Sequence, residues 1–439
     1  MRENTNSGRS FFLDKKPYYY LTLAVIATTL FSWFNLNSYL IILLLVCRLL
    51  DNDPRKALRT AFTNKIFLAY FSVFLLEFAG LFYTHHLFVG WKQMESKATL
   101  VAIPFILCAG PFTDRAGYRR LLSAYCLLLA GVCLYCLSMA VVEYHWQKDL
   151  DVFFYHQLTS PVSFNAVFFS GYVLVALLFL LFSPDRPFAR GLRIVLILFF
   201  TATMVLLSSR LLLVLLIVIF MVYLTGHYRL KMKTIQALVV SLLIVLGTTV
   251  LAFTDNPVSR RCRDLVMGQT QTPPAQAASH PQLDRLPSSS FNSINFRLMT
   301  WRYAFEILHE HKAWVFGVSG GDSQALLDQK YLDAGMSQGY LGYNFHNEYI
   351  EVLVRSGFLG VGIFMICLVI LIGAARWAAT PTAVFTIILL LLLYGTESAL
   401  EMQHGLFLFA FFPILTSRSY CFISTIRAGS VTTISGLSL

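Results

Sequence analysis

His346 and Asn347 stand at the mouth of a long apolar run, in the stretch N-F-H-N-E-Y-I-E-V-L-V-R-S-G-F-L-G from Asn344 to Gly360. An imidazole titrates near neutral pH and takes or gives a proton at little cost. Asn347 has the short acceptor side chain of a helix N-cap, which predicts a helix from about Glu348 to near Ala374. Gly357 and Gly360 lie three apart and predict one small face that another helix can approach closely. His346 would then be a proton-transferring group at the water boundary of a membrane helix. A lone histidine at such an edge also has a plainer use, as a polar residue that only hydrogen-bonds.

Two arginines carry charges suited to an anion. Arg210 sits in L-L-S-S-R-L-L-L, between apolar runs on both sides. A guanidinium there is costly to bury, so it is paired, functional, or snorkelling to the interface. Arg297 lies in I-N-F-R-L-M-T-W-R-Y-A-F-E-I-L-H-E-H-K. Its guanidinium has the planar fork that binds phosphate with two hydrogen bonds, although a surface helix also carries solvated arginines. Arg302 and the cluster Arg260-Arg261-Cys262-Arg263 are weaker candidates, the cluster reading as a contact with lipid head groups.

Other motifs point to structure. Glu351 and Arg355 are four apart and read as a helix pair, and Glu397 and Glu401 as acids paired for structure. His309-Glu310-His311 places its histidines two apart, so they point away from each other and make no metal site. The glycines of Gly317–Asp322 lack the Lys-Ser/Thr that completes a phosphate loop. Cys133 and Cys136 have C-x-x-C spacing but lie inside an apolar run, where they are small packing residues.

The elements that must position these groups follow from composition. The chain has 439 residues, 57% hydrophobic and 13% charged, where soluble domains carry roughly 25% charged residues. Many runs approach the roughly 20 residues that cross a bilayer. The expected fold is an all-α polytopic membrane protein, since alternating strand patterns are absent and a helical bundle satisfies its own backbone. About twelve spans are predicted, near 18–34, 36–50, 66–84, 98–113, 120–142, 162–183, 190–207, 211–226, 234–253, 348–374, 379–395 and 404–418. The net charge of +11 does not indicate nucleic acid, because about 21 of the 34 basic residues fall in short loops on one side. The positive-inside rule makes that side cytoplasmic, with both termini, and turns the loop 255–345 outward. Without a cleavable signal pattern, the first apolar run is expected to remain as an anchor.

The domain reading is an N-terminal bundle over 1–254, a loop domain over 255–345 and a C-terminal bundle over 346–439. In the loop, 269–293 is rich in Pro, Gln, Ala and Ser and is expected to be mobile. Residues 294–312 predict an amphipathic helix with Phe296, Met299, Tyr303 and Ile307 near one face, suited to lie along the outer membrane surface. A second short helix is predicted over 322–334.

His346-Asn347, nine further residues and Gly357-x-x-Gly360, taken with Ser209-Arg210 and Arg297 before Trp301, resemble the O-antigen ligase and polymerase family of bacterial membrane glycosyltransferases. The resemblance covers most of the chain in architecture and three short stretches in residues. It implies a GT-C-like bundle in the inner membrane with a periplasmic active site. It implies transfer of a glycan from undecaprenyl diphosphate to a hydroxyl, inverting and without a metal or other cofactor. In a ligase the acceptor is the lipid A–core oligosaccharide; in a repeat-unit polymerase it is another lipid-linked unit, and a protein O-oligosaccharyltransferase is a third form. The implied roles are general base for His346, diphosphate binding for Arg210 and Arg297, and support from Asn347, Gly357 and Gly360. A transporter of lipid-linked glycan is the alternative of another class; the rim position of the charges and the lack of a repeat weigh against it.

Overall fold

The structure is a computed structural model that describes residues 15–50, 54–109, 115–183, 188–227 and 293–432. Among the described residues eleven α-helices lie before residue 228: α1 (Lys15–Leu30), α2 (Phe34–Leu49), α3 (Pro54–Phe62), α4 (Lys65–Gly80), α5 (Leu87–Lys97), α6 (Thr99–Ala109), α7 (Arg115–Gln147), α8 (Tyr155–Thr159), α9 (Ala166–Phe182), α10 (Arg190–Leu207) and α11 (Arg210–His227). Five lie from residue 293 on, the first two within the long loop: α12 (Ser293–Glu310), α13 (Gly320–Asp333), α14 (Glu348–Ala378), α15 (Pro381–Tyr394) and α16 (Gln403–Thr432). Among the described residues there is no strand. A helix occupies every expected span position except 234–253, which lies outside the described residues, as do 269–292 and the arginine cluster at 260–263.

Length and composition single out fewer membrane-capable helices than twelve. Gly117–Gln147, Arg190–Leu207 and Glu348–Ala378 qualify among the described residues, and two bent pairs raise the number to five if each is one span. The physical reason is length. Arg210–Thr225, Pro381–Tyr394 and Gln403–Ser417 are apolar but have fewer than 18 residues.

Local chemistry starts several helices where they begin. Asn64 accepts from the Ile66 and Phe67 N–H groups, Asn165 from Val167, and Thr380 from Ala383 one residue before Pro381. These short side chains satisfy N–H groups that have no partner within the helix. α9, A-V-F-F-S-G-Y-V-L-V-A-L-L-F-L-L-F, is buried along almost its whole length. An all-round apolar helix belongs at the centre of a bundle, and α9 packs there against α10, α11, α15 and α16. α14 packs against α4 on one side and against α15 and α16 on others.

A second, smaller core lies beyond the mouth of α14. Phe296, Ala304, Ile307 and Leu308 of α12 meet Leu327 and Tyr331 of α13, with Phe345 and Val354 beneath. The apolar face expected to rest on lipid is therefore spent on protein: Phe296 and Ile307 are buried in this core, with Met299 and Tyr303 packed against it.

Candidate functional site

The start of α14 forms as its residues dictate. Asn347 is the N-cap, and its side chain accepts from the Ile350 N–H at 3.2 Å. Just before it, His346 has φ +48°, a left-handed conformation uncommon for a residue with a Cβ though histidine is enriched there. The Asn344 side chain accepts from the His346 N–H at 3.1 Å and steadies the turn. The Trp301 indole donates to the Phe345 carbonyl at 2.9 Å, tying α12 to the same segment.

One carboxylate gathers two of the expected site residues. Glu397, in the connection between α15 and α16, receives Arg297 Nη2 on Oε1 at 3.1 Å and lies 3.4 Å from His346 Nδ1 through Oε2. Arg297 and His346 keep about a quarter of their side chains exposed, whereas Glu397 is mostly buried. Arg297 Nε is buried and has no hydrogen-bond partner among the described residues. A buried guanidinium N–H without a partner is costly. Phe296 and Tyr343 flank the imidazole, with ring centroids 6.2 and 6.1 Å away.

Arg210 occupies a different element. It opens α11, half-buried, directly after Ser208 and Ser209. Ser208 ends α10 in a left-handed conformation, and its hydroxyl donates to the Val205 and Leu206 carbonyls. Glu397 pairs with Arg297 and His346, which lie on elements other than the one that Arg210 opens.

The connection holding Glu397 is anchored residue by residue. Asn347 Nδ2 donates to the Gly395 carbonyl, and the Asn347 N–H donates to Ser398 Oγ. Ser398 Oγ donates to Glu351 Oε2 at 3.0 Å, and the Leu400 N–H donates to Glu348 Oε2 at 2.8 Å. Beyond it lies a buried ionic cluster. Lys97 bridges Glu77 and Glu401, both at 2.7 Å, and Arg355 pairs with Glu401 and with Glu77. The expected Glu351–Arg355 helix pair is only a 4.0 Å contact, because the guanidinium turns instead toward acids on other elements. Burial pushes the Glu401 carboxyl up, but the Arg355 and Lys97 charges outweigh it and hold it at about 2.

The two glycines differ from their expected use. Gly357 has φ +62° and ψ −164°, which breaks the helix, so it and Gly360 do not form one regular helical face. What approaches is a turn: the Phe358 N–H donates to the Trp314 carbonyl at 2.8 Å and the Leu359 N–H to the Val315 carbonyl at 3.2 Å. A Cβ on Gly357 would fall on the Val315 carbonyl, and one on Gly360 on the Ser356 side chain. Gly317, φ +71°, completes the crossing from the other side, where a Cβ would strike the Arg355 carbonyl.

Spacing, capping and break around His346 are thus all in place, within a region that also carries both arginines. Residues 194–365 match the O-antigen ligase family. The resemblance drawn from the residues is borne out over that stretch, which includes Arg210, Arg297, His346, Gly357 and Gly360. Glu397 and most of the ionic cluster lie outside the O-antigen ligase match. No curated protein matches the chain. Sequence reasoning had Glu397 as a structural acid with its partner open. The available signal was T-E-S-A-L-E, two acids between two apolar runs whose connection returns to the side of His346.

Proposed function

We propose that the protein is an O-antigen ligase that transfers a glycan from undecaprenyl diphosphate to a hydroxyl of lipid A–core oligosaccharide. The observation that carries this reading is the single carboxylate, Glu397, held between Arg297 and His346. With Nδ1 carrying its proton toward Glu397, the His346 imidazole presents Nε2 as a base. The acceptor oxygen attacks the anomeric carbon, its proton passes to Nε2, and the bond from that carbon to the diphosphate oxygen breaks with inversion. Glu397 stabilises the imidazolium that results and keeps the ring oriented, and general-base assistance of this kind typically contributes about 10²–10⁴-fold. The leaving diphosphate gains charge as the bond breaks. Arg297, through the exposed part of its guanidinium, stabilises that charge more in the transition state than before it. Arg210, at the N-terminal end of α11, is the second diphosphate cation in this proposal, where the helix end adds favourable N–H groups.

The scaffold in this reading is about twelve spans in the bacterial inner membrane, nine before the loop domain and three after it. The basic short loops support cytoplasmic termini and a periplasmic site. The partners are the lipid-linked donor, the core acceptor and the bilayer; no metal, other cofactor or nucleic acid enters. The test is transfer by purified protein given lipid-linked glycan and acceptor. Wild-type transfer to core, lost in His346→Ala with the protein still folded, supports the reading; full turnover by His346→Ala overturns the base. In cells, deletion should leave free core with accumulated lipid-linked chains. Core bearing a single repeat would instead indicate a repeat-unit polymerase, and altered glycoproteins a protein O-oligosaccharyltransferase.

A further inference from the structure

The outward end of α4 and α14 carries a group of large apolar side chains that no described element covers. In the α4–α5 turn and the first turns of α5, Phe82 is 79% exposed, Phe88 81% and Trp91 55%. Beside them, Val315 and Phe316 are 56% and 61% exposed, and Phe358, just past the break in α14, is 59% exposed.

These residues come from three distant segments, and specific contacts join them into one surface. The Tyr83 hydroxyl donates to the Phe316 carbonyl at 2.7 Å, fixing the α4–α5 turn against the 314–316 turn. Trp314 stacks on Phe358 at 5.8 Å, and two backbone hydrogen bonds run from 358–359 to 314–315. Gly90 of α5 and Gly321 of α13 meet closely, a Cβ on Gly90 lying 3.6 Å from the Gly321 Cα. The turns are therefore clamped to the protein on their inner side while presenting aromatic rings outward.

The surface does not stop at the turns. Phe82 packs edge-on against Phe78 of α4 at 5.4 Å, and Phe78 and Leu75 continue an exposed apolar face down that helix. On α14, Ile366 and Val369 continue the face below Phe358. α4 and α14 pack on each other, and α14 is long and apolar enough to span a membrane. The exposed residues that neighbour the rings along the chain include polar ones: His85, His86, Lys92, His311 and Lys312. Apolar helix faces, aromatic rings and polar or basic side chains, brought together at one end of α4 and α14, are the environments met on crossing from acyl chains to head groups. An exposed apolar patch of this extent is otherwise unusual on a soluble surface.

We propose that the α4–α5 turn and the 314–316 turn form one rim seated at the headgroup–acyl boundary of a single leaflet. The occupant of this surface is phospholipid. The rim replaces the apolar face of α12 as the loop region's contact with the membrane. It also explains the break at Gly357, which lets the 314–316 backbone reach α14 where that helix meets the boundary. The proposal does not depend on which reaction the protein catalyses.

The test places the photoreactive residue p-benzoylphenylalanine at Phe88 or at Phe316 of the full chain. Leu332, exposed on α13 of the outer core, is the aqueous control. Each protein is reconstituted into vesicles of phosphatidylethanolamine and phosphatidylglycerol, irradiated and read by mass spectrometry. Phospholipid adducts at 88 and 316 should exceed those at 332 by about tenfold, as expected for rings at the bilayer interface. Adducts no more frequent than at Leu332 would overturn the proposal, and so would crosslinks running mainly to a second copy of the chain. Phe82 supplies a further position if either variant fails to fold. The readout needs no transfer activity, so failure of the ligase reading and failure of this one are separate results.

Discussion

Replacing Gly357 by alanine should destabilise the protein more than any other glycine substitution in α14. The backbone there has φ +62° and ψ −164°, a region essentially reserved for glycine, and occupying it with a Cβ costs about 1–3 kcal/mol. The added Cβ would also fall on the Val315 carbonyl. Relieving that clash pulls the 314–316 turn away and loses the Phe358-to-Trp314 and Leu359-to-Val315 hydrogen bonds, each worth about 0.5–1.5 kcal/mol. The expected loss is about 2–6 kcal/mol in all, a large part of the stability of an ordinary domain. Gly362 and Gly373 are internal controls, since a Cβ on either meets nothing within 4 Å; there alanine should stabilise by about 0.5–1 kcal/mol. Thermal unfolding of nanodisc-embedded protein, followed by intrinsic fluorescence, gives the comparison. Gly317→Ala strikes the same crossing from the facing segment, so the double variant should lose less than the sum of the singles. A Gly357→Ala protein with the Tm of Gly362→Ala would refute the account of the break, and strictly additive losses would refute the shared crossing.

Glu397→Gln should fold yet transfer glycan about 10²-fold or more slowly, because the imidazolium loses its counter-charge; Glu397→Asp should recover part of the rate in the same reconstituted assay. Arg355→Ala should cost about 3–5 kcal/mol by leaving buried acids uncompensated, and adding Glu401→Gln should return part of the loss in thermal unfolding. Asp322 provides a pH signature. Burial raises its carboxyl, but hydrogen bonds from the His85 N–H, the His86 ring and N–H and the Thr84 hydroxyl outweigh burial and hold its pKa below the usual carboxylate range. A depressed folded pKa gives stability that is complete above the unfolded value and is lost as pH falls through the folded one. Tm should therefore fall more steeply below about pH 4 in the wild type than in Asp322→Asn, and parallel curves would contradict the role given to those bonds.

Much of this molecule could be read along the chain. Helical class follows from apolar runs whose backbone must bond to itself, and Asn347 marks the start of α14 because capping depends on neighbours within a turn. The histidine, the arginines and the two glycines were visible by type and spacing. What Gly357 does was not, because its partner is the backbone of Val315, far back in the chain. Helix length was not legible in the same way, since hydropathy marks apolar stretches but not where a helix stops, and three to five described helices are long and apolar enough to cross a membrane.

The pairing of charges depended on folding in three dimensions. Glu397 lies 51 residues from His346 and 100 from Arg297, and no local rule links positions so far apart. Glu351 and Arg355 illustrate the same limit, since ideal helical spacing was overridden when Glu77 and Glu401 came closer to the guanidinium. A side chain's type is written in the residue itself, and its reach extends a turn or two. Which charge it meets inside a bundle depends on which helices pack together, and that is settled by the burial of many apolar side chains acting collectively.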